Sequence, residues 1–145
     1  MPYRFIGEYR HNIDDKGRLI LPSRFRDKLG ESFVVTCGLD TCLVVFPPEE
    51  WGKYLSRLES LQFHKKDFRA YLRLVLAKAN DVEIDRLGRF TVPANLREYA
   101  GISREVVVNG VSDKIEIWSQ QIWDEYSRKA ISNYEINAET IGELE

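Results

Sequence analysis

The sequence predicts an α+β fold made from two copies of one small module, each a tight turn followed by a short strand and a short helix. Three observations carry this. Residues 13–30 recur at 84–101 with an offset of 71, and seven of eighteen positions are identical: Ile13/Ile84, Asp14/Asp85, Gly17/Gly88, Arg18/Arg89, Pro22/Pro93, Arg26/Arg97 and Gly30/Gly101. Each copy holds Asp-x-x-Gly-Arg with a proline four residues further on. Apolar residues alternate over strand lengths around both copies, and the longer stretches of helical spacing lie between and after them.

Taken in chain order, Phe5, Gly7, Tyr9, His11 and Ile13 alternate with Ile6, Glu8, Arg10 and Asn12, which predicts a strand. Its counterpart is shorter, Val82 and Ile84 against Asp81, Glu83 and Asp85. Asp14–Arg18 and Asp85–Arg89 predict turns, because an Asp carboxylate can accept the amides just ahead of it and glycine tolerates positive φ. Gly17 and Gly88 then close a type I turn through a glycine bulge, giving a β-hairpin with Asp14 facing Arg18. Short strands follow at Leu19–Leu21 and Phe90–Val92. Pro22 and Pro93 stop strand pairing and suit the first position of a helix, and Gly30 and Gly101 stand where helices end. Phe25 with Leu29, and Leu96 with Ala100, give these helices an inward face.

Strands at Phe33–Cys37 and Leu43–Phe46 are echoed at Glu105–Val108 and Ile115–Trp118. One inserted residue moves the offset to 72, so that Gly38 meets Gly110, Phe46 meets Trp118 and Trp51 meets Trp123. Pro47-Pro48-Glu49-Glu50-Trp51 opens a helix with acidic residues in its first turn, and its counterpart begins near Ser119 with Ile122, Trp123 and Tyr126. Lys65–Lys78 predicts a helix with Phe68, Leu72, Val75 and Leu76 inward and Lys66, Arg69 and Arg73 on a solvated face. Residues 133–145 are expected to form a frayed or weakly helical acidic end. The organisation is therefore a module at 8–50, a helical connector at 51–78, a second module at 79–122, and a C-terminal helix with an acidic tail at 123–145.

Several function classes fall away. The first residues lack the sections of a signal peptide, and no apolar run nears the ~20 residues that span a bilayer, so a cytoplasmic protein without membrane contact is expected. Cys37 and Cys42 form neither C-x-x-C nor a pair with nearby histidines, which argues for reduced thiols flanking a turn and against zinc. One Asp per repeat invites comparison with aspartic proteases, but Arg four residues later favours two ionised carboxylates over a shared proton, and no Asp-Thr-Gly occurs. Ser23, Ser32 and Cys37 lack a supporting histidine motif, and there is no glycine-rich phosphate loop. No enzyme, cofactor, metal or small-molecule substrate is expected.

A net charge of −2 gives no overall attraction to nucleic acid, so location decides. Residues 8–30 hold six basic against four acidic side chains, while residues 79–101 hold three against four. Arginine offers a rigid fork of donors to phosphate or to the guanine edge, and a β-ribbon fits the major groove. The candidate DNA contacts are Lys16 and Arg18 at the first turn, Arg10 on the preceding strand and Arg24 and Arg26 on the following helix, with Arg86 and Arg89 secondary. Asp14, Gly17, Asp85 and Gly88 shape the turns, Asp14 orienting Arg18. Trp51, Trp118 and Trp123 are expected as core or subunit-interface anchors, His11 as a packed strand residue and His64 as a surface one.

From Gly7 to about Trp123 the chain resembles the MraZ regulators, within the swapped-hairpin superfamily of AbrB-type (SpoVT/AbrB) DNA-binding domains. The resemblance rests on Gly7-Glu8-Tyr9, Ile13-Asp14-x-Lys16-Gly17-Arg18, Pro22, Leu39-Asp40-x-Cys42-Leu43 and Ile115-Glu116-Ile117-Trp118, with Asp-x-x-x-Arg at both Asp14/Arg18 and Asp85/Arg89. The second copy departs at Arg86-Leu87, where the first has Asp15-Lys16. The resemblance implies two AbrB-like modules paired within one chain as a pseudo-dimeric swapped-hairpin β-barrel with surrounding helices. It also implies a head-to-tail homo-oligomeric ring, octameric in the family, that binds short direct repeats in double-stranded DNA near its own promoter. The function implied is a nucleoid-associated repressor of the division and cell-wall gene cluster. An AbrB-type antitoxin or a structural ring protein is the alternative, though an antitoxin of this superfamily has one module and a disordered tail.

Overall fold

A computed structural model describes residues 4–61 and 64–144 of the chain. Its strands are β1 (Phe5–Asn12), β2 (Arg18–Ile20), β3 (Ser32–Cys37), β4 (Leu43–Phe46), β5 (Asn80–Glu83), β6 (Arg89–Thr91), β7 (Glu105–Ser112) and β8 (Lys114–Ser119). Its helices are α1 (Ser23–Leu29), α2 (Pro48–Glu59), α3 (Lys66–Ala77), α4 (Ala94–Ala100), α5 (Gln120–Ser132) and α6 (Tyr134–Leu144). The expected α+β class stands.

The chain is wound so that each copy completes the other. The two strands leaving each turn do not pair with one another beyond the turn itself. β1 pairs antiparallel with β7, β5 with β3, and β2 with β6, three ladders that all cross between copies. β3–β4 and β7–β8 are hairpins within a copy, and β4–β8 joins them into a six-stranded sheet of order β1-β7-β8-β4-β3-β5. The registers expose a pseudo-two-fold axis. Leu19 lies opposite Phe90, its own counterpart at offset 71, and Val44 lies opposite Glu116, its counterpart at offset 72. The axis therefore runs through the β2–β6 ribbon on one side and the β4–β8 ladder on the other.

One alignment is corrected by the register. Ile13 donates to the Arg104 carbonyl as Ile84 donates to that of Glu31, so β7 stands 73 residues from β3. Gly38 and Gly110 are therefore not equivalents, and Thr36 corresponds to Asn109. Two residues are gained before β7 and one is lost between β7 and β8, where the chain turns through Ser112 at φ 69°. The offset of 72 returns beyond, and the outer aromatic clusters obey it: Phe46, Trp51 and Tyr54 recur as Trp118, Trp123 and Tyr126.

The core lies between one face of the large sheet, the β2–β6 ribbon, and helices α1 and α4. Phe5, Leu19, Phe25, Phe33 and Val45 from one copy interleave with Phe90, Leu96, Val106, Ile115 and Ile117 from the other, all buried. Phe5 meets Phe25 edge-on at 5.6 Å and Phe33 meets Phe90 at 5.2 Å. Each such ring contributes roughly 1.5–3 kcal/mol by leaving water, and because neighbours come from both copies, neither encloses a core alone. The opposite sheet face is covered by α2 and α3 over β3–β4 and by α5 over β7–β8.

Three local expectations shift. Pro22 and Pro93 sit one residue before their helices, capping rather than entering them, with ψ near 140° as the extended strand requires. Pro48 does occupy the first turn of α2. In α3 only Val75 is fully buried, and Leu76, expected inward, is exposed. The C-terminal end is a formed helix through Leu144 rather than a frayed tail; residues 62–63 of the connector and Glu145 lie outside the described residues.

Candidate nucleic-acid interface

The two Asp-x-x-Gly-Arg turns have one geometry. Asp14 Oδ1 accepts the amides of Lys16 and Arg18 at 2.9 Å each, and its Oδ2 accepts Arg18 Nε at 2.7 Å. Asp85 repeats this with Leu87, Arg89 and Arg89 Nε, all at 2.9 Å. The Arg18 amide, then its side chain and the Lys16 amide, hold the Asp14 carboxyl below the ordinary aspartate range, and Arg89 and Leu87 do so for Asp85. Each aspartate is thus ionised and used up within its own turn. Among the described residues only Nε of Arg18 or Arg89 has a hydrogen-bond partner, so each guanidinium is aimed while its terminal amino groups remain available.

The ribbon brings the two arginines together. Leu19 and Phe90 point into the core, so the outward face of β2–β6 carries Arg18 opposite Thr91 and Arg89 opposite Ile20, the arginines being diagonal neighbours across the axis. The turns interlock: Leu21 donates to the Gly88 carbonyl at 3.1 Å and Val92 to that of Gly17 at 2.8 Å. The exposed tips add Lys16 in the first turn and Arg86 in the second, with Leu87 exposed where the first turn has Lys16. Arg24, exposed on α1, donates to the Tyr9 hydroxyl at 3.3 Å. Arg10 differs from the rest. It donates to Glu8 and to Asp124 on α5, each at 2.9 Å, and so ties β1 to α5 within an acidic pair.

Two further arginines complete this assembly, Arg26, which the sequence offered beside Arg24, and Arg97, which was absent from the candidate contacts. Arg26 donates to the Leu21 carbonyl and lies over Gly88, while Arg97 donates to the Val92 carbonyl and lies over Gly17. Each copy's helix thereby braces the other copy's turn. The signal was in the repeat, since Arg26/Arg97 is one of its seven identities whereas Arg24 faces Asn95. Gly17 (φ +80°) and Gly88 (φ +81°) admit this bracing because a Cβ would collide with the guanidinium. Gly88→Ala should therefore destabilise by about 1–3 kcal/mol, read as a fall in melting temperature. Gly52→Ala on α2, where a Cβ meets open space, should be neutral or stabilising. Equal melting of the two variants would contradict the interlock.

Among the described residues no group of His, Cys, Asp or Glu could hold a metal, and no helix is long and apolar enough to cross a membrane. Cys42 is buried, which pushes its thiol up, and Cys37 is half-buried; both are free.

The family model of the MraZ protein, described as antitoxin-like, matches twice, at residues 4–74 and 75–144. A protein of Moorella thermoacetica is 52% identical over 135 residues, covering 93% of this chain and 94% of its own length. Proteins of Desulforamulus reducens (49% over 140 residues; 97% and 99% covered) and a Thermoanaerobacter species (48% over 139 residues; 96% and 97%) are similar to the same extent. All three are named Transcriptional regulator MraZ.

Proposed function

The chain belongs to the MraZ family, and from that premise we propose that it is a transcription regulator that binds double-stranded DNA through the outward face of its β2–β6 ribbon. The observation that carries this is the pair Arg18 and Arg89, each aimed by an ionised aspartate and set about a pseudo-two-fold axis. A guanidinium with free terminal amino groups suits the O6/N7 edge of guanine or a phosphate, and a two-stranded ribbon is narrow enough for the major groove. Lys16, Arg24 and Arg86 surround the ribbon as phosphate contacts. Arg10, engaged by two carboxylates, is the weakest of the proposed contacts.

One ribbon presents few charges, so strength comes from several ribbons in one assembly. The resemblance supports a closed head-to-tail ring of about eight chains acting on short direct repeats upstream of its own gene, where it represses the division and cell-wall cluster. A cytoplasmic, nucleoid-associated protein follows. Footprinting the purified protein on the DNA upstream of its gene should give a ladder of protected short repeats. Uniform weak protection would overturn the sequence-specific reading.

A further inference from the structure

We propose that Leu87 and Ile20 form an apolar half of the β2–β6 ribbon that packs on thymine C5-methyl groups, so that each ribbon reads an asymmetric site. This rests on the DNA-reading role given to the ribbon above and names the base chemistry that its second half takes.

The backbone of the ribbon is symmetric and its outward side chains are not. Asp14 Oδ1 holds the amides of Lys16 and Arg18, and Asp85 Oδ1 those of Leu87 and Arg89, all at 2.9 Å. Lys16 and Leu87 therefore occupy equivalent places in two closed turns. Across the ribbon Arg18 faces Thr91 and Arg89 faces Ile20, and Thr91 is the counterpart of Ile20 at offset 71. The interlock carries the second turn to the end of β2, where Leu21 donates to the Gly88 carbonyl. Arg18 thus has Lys16 in its own turn and Thr91 across from it. Arg89 has Leu87 and Ile20, two aliphatic side chains in the same two places.

Folding does not account for either. Leu87 is 67% exposed and Ile20 44%, while Leu19 and Phe90 supply the ribbon's share of the core. Turns favour small polar residues, so the second turn has no local need of leucine. Strand preference does not ask for isoleucine either, since threonine at the equivalent place is also β-branched.

The major groove offers a partner for this combination. Guanine presents O6 and N7 to a guanidinium, and thymine alone among the four bases carries a methyl group on that edge. Arg89 on a guanine would bring Leu87 and Ile20 over the methyl of an adjoining thymine. Lys16, in the place of Leu87, instead extends a compact positive charge toward a base acceptor or a phosphate. Arg86 keeps a phosphate contact beside Leu87 in the second half. A ribbon with unlike halves distinguishes the two directions of its site. That suits direct repeats, in which every subunit meets its DNA in one orientation.

The test is uracil interference on the DNA upstream of the gene. That DNA is made with sparse deoxyuridine in place of thymidine, which removes only the C5-methyl. Bound and free fractions are separated by gel shift and cleaved at uracil. Wild type should show discrete interfering thymines on one side of the contacted guanines in each repeat. Each missing methyl should lower affinity roughly fourfold, the worth of one such group leaving water. In Leu87→Ala with Ile20→Ala these positions should fall silent, while interference by methylation of guanine N7 persists. Both side chains are exposed, so melting temperature and oligomer size should stay as in wild type; Leu87→Ala alone carries the same expectation if the double variant melts early. Guanine interference without any at thymine, or thymine interference that the variant leaves unchanged, would overturn the apolar half and leave the ribbon as the DNA-binding face. A smaller oligomer in the variant would place the two side chains in a contact between copies and overturn it likewise. A wild type that shifts none of this DNA would overturn the ribbon reading itself.

Discussion

Arg18→Ala is expected to weaken binding to an array of repeats on the order of 100-fold or more while leaving melting temperature and oligomer size unchanged. A well-formed bidentate arginine contact is worth about 1–3 kcal/mol of discrimination, and the loss multiplies over every subunit engaged. The fold loses little. Arg18 is a half-buried partner of Asp14 at the surface, and surface pairs of this kind contribute about 0–1 kcal/mol. The Asp14 turn also keeps its two amide bonds without the side chain. Arg89→Ala should do less, because the second turn carries exposed Leu87 in place of Lys16 and its surroundings are net acidic. Gel shifts on one operator, with melting curves beside them, separate the roles. A fall in melting temperature that parallels the loss of binding would make Arg18 a structural clamp.

The repeat made most of this legible before any coordinates. Identity at Asp14/Asp85, Gly17/Gly88 and Arg18/Arg89 pointed to both turns, because an aspartate can accept the amides ahead of it and glycine tolerates positive φ; the hairpin pairing expected around them does not extend past the turn. Period-two alternation placed the strands, and proline and glycine bounded α1 and α4. Partners were less legible. Alternation predicts a strand at β1, though only Phe5 is buried and Tyr9 half-buried, and nothing local says that it pairs with β7 rather than β2, since that choice is made by a core drawn from both copies. The offset of 73 at β7 escaped for a related reason: Gly38 and Gly110 match as letters, while burial and register follow Thr36 and Asn109. Arg10 looked available because Asp124, more than a hundred residues away, is brought beside it only by α5. Arg26 looked like a DNA contact and Arg97 drew no role, because the turn that each braces belongs to the other copy.

Affinity should rise steeply with repeat number, by about 10²–10⁴ from one repeat to several, because later engagements are intramolecular. A single repeat should bind weakly and lose affinity as salt rises, with a log–log slope set by the few phosphate contacts of Lys16, Arg24 and Arg86. Spacing is the sharper variable. Inserting about 5 base pairs, half a helical turn, between neighbouring repeats leaves each base contact available but turns adjacent ribbons to opposite sides of the duplex. Composition, charge and sequence of each site stay the same, so only the geometry of several ribbons on one assembly is altered.

The decisive measurement is a gel-shift series on two to four repeats at native spacing and with the half-turn insertion, at fixed salt. If Arg18 and Arg89 on neighbouring ribbons read successive repeats, the insertion should return affinity most of the way to that of one repeat. Equal affinity at both spacings, or one isolated repeat bound as tightly as four, would contradict an oligomer that reads repeated DNA.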